Sequence, residues 1–274
     1  PATLSGGDGD DTLRGSTSSD SLDGGDGTDL VVQVTGSNQV LTNTTLTGLG
    51  LDVLSQVERA SLTGDNQSNH IDASAFTAGP VTVSGLFGDD TIAGSSSDDT
   101  LDGGNGLDVL SQASDTDQVL TNSTLTGYGN DTHSSFERVQ LAGGVGDNRL
   151  DAQAFTSGSV ELDGGDGNDT LIGSQSNDTL TGGSGTDQVE QSVDGDQVLT
   201  NTQLTGRGND TLSSIESGVL SGGSSANLIT AEAFTNGPVT LDGGSGNDTL
   251  IGSPASDSLT GGSGPDRIRQ TADN

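Results

Sequence analysis

Large aliphatic residues recur at Leu13, Leu22, Val31, Val40, Leu54, Leu62, Ile71, Val83 and Ile92, at intervals that are mostly nine residues. Around each one, polar and apolar positions alternate with the two-residue period of a strand, and glycine-rich or polar stretches intervene. No stretch holds a 3.6-residue apolar period, so no helix is expected. Each aliphatic position then marks a half-coil, a turn followed by a short strand. Inward-facing aliphatic residues from two parallel sheets stack into a thin core.

A longer period overlies this one. GGDGDDTLR at Gly6, GLFGDDTIA at Gly85, GGDGNDTLI at Gly164 and GGSGNDTLI at Gly243 each lie 79 residues after the last. QVLTN at Gln39, Gln118 and Gln197 keeps the same step, as do Phe76, Phe155 and Phe234. Self-similarity at fixed spacing is the mark of a solenoid. The expected fold is all-β, a parallel β-roll (β-solenoid) without helices, continuous as one domain over residues 1–274, with units 6–84, 85–163 and 164–242 and a partial fourth over 243–274. Half-coils of 9, 9, 9, 9, 14, 8, 9 and 12 residues give eight half-coils, or four coils per 79-residue repeat. Each unit would then begin in the orientation of its predecessor. On that count GGDGDD (Gly6), GGDGTD (Gly24), TGLGLD (Thr47) and GDNQSN (Gly64) share one edge, and GSTSSD, QVTGSN, QVERAS and ASAFTAGPV share the other.

Composition changes the picture. Only 27% of the chain is hydrophobic and 2% aromatic, and its net charge is −33, from 40 acidic residues against seven basic ones. Such a chain falls in the disordered class unless something neutralises it, and regular acidic spacing points to a bound cation. The charge excludes nucleic acid as a partner, and no apolar run approaches the ~20 residues of a membrane span. The absence of Cys fits export without disulfide chemistry. The phase of the two ends, both within the motif, suggests a window on something longer.

A G-G-x-G-x-D turn offers what a hard divalent cation needs, exposed backbone carbonyls and one carboxylate. Ca2+ takes about six to eight oxygens, which one turn cannot supply but two stacked turns can. An ion between coils would bridge Asp11 to Asp29 and Asp29 to Asp52, making binding and winding one event.

The nonapeptide G-G-x-G-x-D-x-U-x, with U a large apolar residue, starts at Gly6, Gly24, Gly164, Gly182, Gly243 and Gly261, and nearly so at Gly103. It resembles the repeats of the RTX (repeats-in-toxin) family, secreted bacterial β-rolls that bind calcium. That resemblance implies an extracellular or cell-surface, calcium-dependent fold. It also implies that the motif aspartates and the carbonyls of turns such as those at Gly6, Gly24, Gly164, Gly182, Gly243 and Gly261 are Ca2+ ligands. Carried onto this chain, the aspartates are Asp11, Asp29, Asp90, Asp108, Asp169, Asp187, Asp248 and Asp266. Asp52, Asp131 and Asp210 follow, with Thr in place of the first Gly. Asn69, Asn148 and Asn227 hold the same slot uncharged, where a weak site or none is expected. The family usually binds ions along both edges. Here the GSTSSD-like turns of Asp20, Asp99, Asp178 and Asp257 put Ser for the second Gly, leaving open whether those aspartates bind calcium or cap turns.

No catalytic set recurs. His70 and His133 occupy different places in their units and read as surface residues. The leading expectation is therefore a non-enzymatic, structural segment of a long secreted surface fibre, adhesin stalk or matrix filament, stiffened by calcium and continued covalently or by self-association. The alternative is the calcium-dependent C-terminal secretion and folding domain of an exported protease or lipase. Near-identical 79-residue repetition favours the first. A mixed rather than all-Thr outward row (Thr12, Ser21, Leu30, Gln39) argues against ice binding.

Overall fold

The computed structural model describes residues 1–271, so the last three positions of the partial fourth unit lie outside it. Every regular element among the described residues is a strand, and none is a helix. The chain divides into two compact units, residues 1–112 with 122–140, and residues 113–121 with 141–274. Each unit is a parallel β-roll of two sheets.

In the first unit, one sheet runs in spatial order through Thr3–Asp8, Ser21–Asp26, Leu51–Ser55, Thr45–Thr47, Gln39–Thr42, His70–Ala75, Thr91–Ala93 and Val109–Ala113. The facing sheet runs through Thr12–Leu13, Leu30–Val34, Arg59–Thr63, Val81–Ser84, Thr100–Asp102, Asn130–Ser134 and Thr124–Thr126. The second unit repeats the design. One sheet holds Gln118–Thr121, Arg149–Ala154, Thr170–Ile172, Gln188–Ser192, Ser217–Ser221, Val239–Asp242 and Ser258–Thr260. Its partner holds Ser159–Asp166, Thr179–Ser184, Gly208–Ser213, Gln203–Gly206, Gln197–Thr200, Leu228–Ala233, Thr249–Ile251 and Arg267–Arg269.

The aliphatic periodicity becomes inward ladders. Leu22 pairs in register with Leu4 on one side and Leu54 on the other, and Leu62 with Val83, which pairs with Leu101. Leu22, Leu62 and Leu101 are at most 1% exposed. Burying each contributes about 1.5–3 kcal/mol. Phe76, Phe155 and Phe234 are fully buried as well.

The coil count differs from the expected four. Residues 39–55 form an antiparallel meander, Gln39–Thr42 against Thr45–Thr47 against Leu51–Ser55, and all three strands lie in one sheet. They therefore make one half-coil, not two. In this segment Gln39 and Leu41 point inward, each 0% exposed, while Val40 is 36% exposed. The inward Gln39 is satisfied: Gln33 Nε2 donates to Gln39 Oε1 at 3.1 Å, and Gln39 Nε2 donates to the Thr63 carbonyl at 3.0 Å. Seven half-coils, marked by Leu13, Leu22, Val31, Leu54, Leu62, Ile71 and Val83, give three and a half coils per repeat. An odd number of half-coils sends equivalent strands to opposite sheets. Thr12–Leu13 and its counterpart Thr91–Ala93 face each other across the first unit's core, and Thr170–Ile172 and Thr249–Ile251 do so in the second. Successive repeats thus begin half a coil out of phase.

His133 also departs from expectation. It is 6% exposed, at the inward position that Leu54 and Leu212 hold in the sister repeats, with its ring edge-on to Phe136 at 5.9 Å between centroids. The exposed reading survives for His70.

Candidate metal centre

The motif places glycine where the turn must bend left-handed and where backbones approach. Gly7 and Gly25 have φ of 102°, a region costly for residues with a Cβ. The first glycine of each motif lines a small oxygen-walled cradle. A Cβ on Gly6 would sit 2.5 Å from the Gly24 carbonyl oxygen and against Asp11 Oδ2. On Gly164 it would lie 2.5 Å from the Gly182 oxygen and against Asp169 Oδ2, and on Gly243, 2.5 Å from the Gly261 oxygen and 2.7 Å from Asp248 Oδ2. Gly24, Gly182 and Gly261 bring the same approach to Asp29, Asp187 and Asp266.

The two carboxylate oxygens of a motif aspartate have different surroundings. Oδ1 accepts the backbone N–H of the equivalent residue one coil back: Asp11 donates to Asp29 at 2.7 Å, Asp90 to Asp108 at 2.7 Å, Asp169 to Asp187 at 2.8 Å and Asp248 to Asp266 at 3.0 Å. Oδ2 of Asp11, Asp29, Asp90, Asp108, Asp169, Asp187 and Asp248 is buried and has no protein hydrogen-bond partner. Seven buried carboxylate oxygens without a donor are a recurrent desolvation cost that a fold does not carry without compensation. Burial pushes the carboxyls of Asp90, Asp108, Asp169 and Asp187 above the usual range, and neighbouring acids add to it.

The turns of Asp20, Asp99, Asp178 and Asp257 are built otherwise. In Asp99 both oxygens are used: Oδ1 accepts Val81 N–H at 2.7 Å and Ser95 Oγ–H at 2.9 Å, and Oδ2 accepts Ser95 N–H at 2.5 Å. Asp178 is held in the same way by Val160 and Ser174. The Ser that replaces the second Gly supplies two of the three donors. Asp20, with backbone N–H groups of Ser16 and Ala2 on its carboxylate, is held below the ordinary range.

Asp52, Asp131 and Asp210 do not join the ladder of Asp29. Asp29 N–H donates instead to Glu58 Oε2 at 2.9 Å. Asp52 Oδ1 accepts Asp20 N–H at 2.9 Å, and Asp131 and Asp210 accept from Asp99 and Asp178 at 2.9 and 3.0 Å. The meander is the reason: its return turn at residues 48–50 reaches the edge occupied by Ser18 and Ser19. Burial raises the carboxyls of Asp131 and Asp210 to about 7 and also raises that of Asp52.

The half-coil offset divides the acidic ladders between edges. Asp11 and Asp29 lie on connections leaving the sheet that contains Thr3–Asp8, whereas Asp90 and Asp108 lie on connections returning to it. Asp169 and Asp187 are separated from Asp248 and Asp266 in the same manner in the second unit. Both edges therefore carry strong motif turns, rather than one. Asn69 holds the same slot without charge and with its amide satisfied: its Oδ1, beside Gly64, accepts Asp65 N–H at 3.0 Å and its Nδ2 donates to the Gly36 carbonyl at 3.1 Å. Glu58, Glu137 and Glu216, which accept from Asp29, Asp108 and Asp187, were not singled out in the sequence, although Glu recurs there at the 79-residue step.

Among the described residues, no three His, Cys, Asp or Glu side chains converge as a metal cluster. A cation in these turns would take most of its oxygens from carbonyls, as the cradles provide. Four copies of the RTX calcium-binding nonapeptide repeat match residues 3–32, 82–117, 161–190 and 240–268. The chain carries RTX repeats. Repeats of this family bind calcium, and the donor set fits: hard oxygens only, buried, unprotected by any N–H donor, in cradles that a Cβ would fill. No curated protein matches this RTX chain. The matched blocks coincide with the seven orphaned Oδ2 atoms and leave out the meanders and the Glu-bearing turns.

Proposed function

We propose that this chain is a structural segment of a long, secreted bacterial surface fibre, adhesin stalk or matrix filament, in which calcium bound between stacked turns drives folding and rigidity. Asp11, Asp29, Asp90, Asp108, Asp169, Asp187, Asp248 and Asp266 hold the ions with the carbonyls of their own and neighbouring turns, and the remaining acids hold the charge balance. Bound calcium supplies positive charge to carboxylates that repel one another and have no donor. The protein's own residues supply the cradle, the burial and the fixed register.

The observation that carries this reading is the repetition of orphaned buried carboxylate oxygens at a strict 79-residue step. A repeat without drift suits a part whose property is extension. The test has two arms. Circular dichroism in excess chelator should lose the β signal seen in millimolar calcium, and an unchanged signal and melting temperature would defeat the calcium role. Electron microscopy of the full-length parent in calcium should show thin unbranched filaments or long rods. Globular particles would instead favour the tail of an exported enzyme.

A further inference from the structure

The first three of the four blocks of nonapeptide turns end against a turn that lacks the motif. After Asp29 comes Gln56–Glu58, after Asp108 comes Ser135–Glu137, and after Asp187 comes Ser214–Glu216. These three turns are 79 residues apart and lie outside all four matched blocks. In each, the Glu takes the place in the ladder that an Asp takes one coil earlier. Glu58, Glu137 and Glu216 Oε2 accept the N–H of Asp29, Asp108 and Asp187 at 2.9, 3.0 and 2.9 Å.

Two residues before each Glu, the backbone turns left-handed without a glycine. Gln56, Ser135 and Ser214 have φ of 50°, 60° and 51°. Their carbonyl oxygens lie over Gly24, Gly103 and Gly182, where a Cβ on the glycine would collide with them. The same Cβ positions are 2.5, 2.9 and 2.6 Å from Asp29, Asp108 and Asp187 Oδ2. Those three oxygens are buried and unpartnered, on residues 0% exposed. The arrangement over Gly6, where the Gly24 carbonyl meets Asp11 Oδ2, is thus reproduced by a turn of unrelated sequence.

We infer that these turns are calcium sites of a second kind, closing the first three blocks: Asp29, Asp108 and Asp187 hold an ion against the carbonyls of Gln56, Ser135 and Ser214, with Glu58, Glu137 and Glu216 supplying the second carboxylate. The inference rests on the calcium reading above. Each of the three orphaned oxygens accepts no hydrogen bond and shares the space beside its glycine with a backbone carbonyl oxygen, which is the environment of a hard cation and not of a hydrogen-bonded cap. The competing role for each Glu is to cap the Asp N–H and nothing more.

Substitution by Gln separates the two, because its Oε1 still accepts that N–H while the charge is lost. Calcium chloride is titrated into the metal-stripped full chain carrying E58Q, E137Q and E216Q together, with bound ions counted by calorimetry and native mass spectrometry. The expected result is three fewer ions than wild type at the wild type's saturating concentration, or three sites weakened at least tenfold. The single variant E216Q, expected to lose one ion, serves if the triple variant does not fold. An unchanged count and unchanged affinities in E216Q, with wild type binding calcium, would overturn the inference and leave the general reading intact. A wild-type chain that binds no calcium would overturn both.

Discussion

Asp187→Asn should stabilise the chain without calcium and destabilise it with calcium. Asp187 stands between Asp169, whose N–H it accepts at 2.8 Å, and Glu216, to which its own N–H donates at 2.9 Å. At the strand spacing of ~4.8 Å and an effective dielectric of ~20, two carboxylates on adjacent coils repel by about 3.5 kcal/mol. The share from half-buried Glu216 is smaller. Against a typical folding free energy of about 5–15 kcal/mol, relief of one full pair and part of another is a large change. The Asn amide retains the acceptor for Asp169 N–H and places a donor where Oδ2 stood, beside the Ser214 carbonyl over Gly182. In chelator the variant should therefore show more β signal than wild type by circular dichroism. In millimolar calcium its melting temperature should fall, because the ions on either side lose a ligand. A variant less ordered than wild type under both conditions would refute the argument, since it would show that the carboxylate stabilises the fold by something other than a cation.

Three further outcomes follow from the same geometry. Gly182→Ala should cost one bound ion by calorimetry without removing a charge, because its Cβ would meet the Ser214 carbonyl and lie 2.6 Å from Asp187 Oδ2, whereas Gly195→Ala, with open space around its Cβ, should bind calcium as wild type does. Asp178→Asn should destabilise the fold by about 1–3 kcal/mol for the strained or lost hydrogen bonds, seen as a lower melting temperature with and without calcium, and leave the ion count unchanged. Asp131 and Asp210 titrate near 7 in the fold, raised by burial, against about 3.9 in an unfolded chain. The folded state binds these protons more tightly, so calcium-free stability should fall as pH rises from about 4 to 7, and chelated protein should keep more β signal at pH 5 than at pH 8.

The inward ladders were legible because a two-residue alternation with a large aliphatic residue at its centre has one phase that buries it, as at Leu22 and Leu62. The QVLT strands defeat the same rule. There Gln39 points in and Val40 out, and the phase is set by a buried amide pair, Gln33 with Gln39, that periodicity does not weigh. The same strands fold back on themselves as an antiparallel meander within one sheet, and from that came the miscount of half-coils, the assignment of motif turns to one edge and the pairing of Asp29 with Asp52. His133 was misplaced because its slot shows only by alignment with Leu54 and Leu212. Glu58 lies 29 residues beyond Asp29, across the meander, and no local motif links the two.

The odd number of half-coils has an electrostatic consequence. Were each repeat to contain four whole coils, every strong motif turn would fall on one edge, and like charges would accumulate along it at each coil. With three and a half, the row Asp11, Asp29 and Glu58 occupies one edge of the first unit, and Asp90, Asp108 and Glu137 occupy the other. Each acidic row is short. The second begins at an uncharged Asn69, whose N–H donates to Asp90 at 2.7 Å, and Asn148 and Asn227 open the rows of Asp169 and Asp248 in the second unit in the same way. Repulsion is thereby confined to blocks of two or three neighbours, small enough for a few cations to neutralise locally. The meander that sets the odd count is thus what divides one unmanageable line of charge into separate sites.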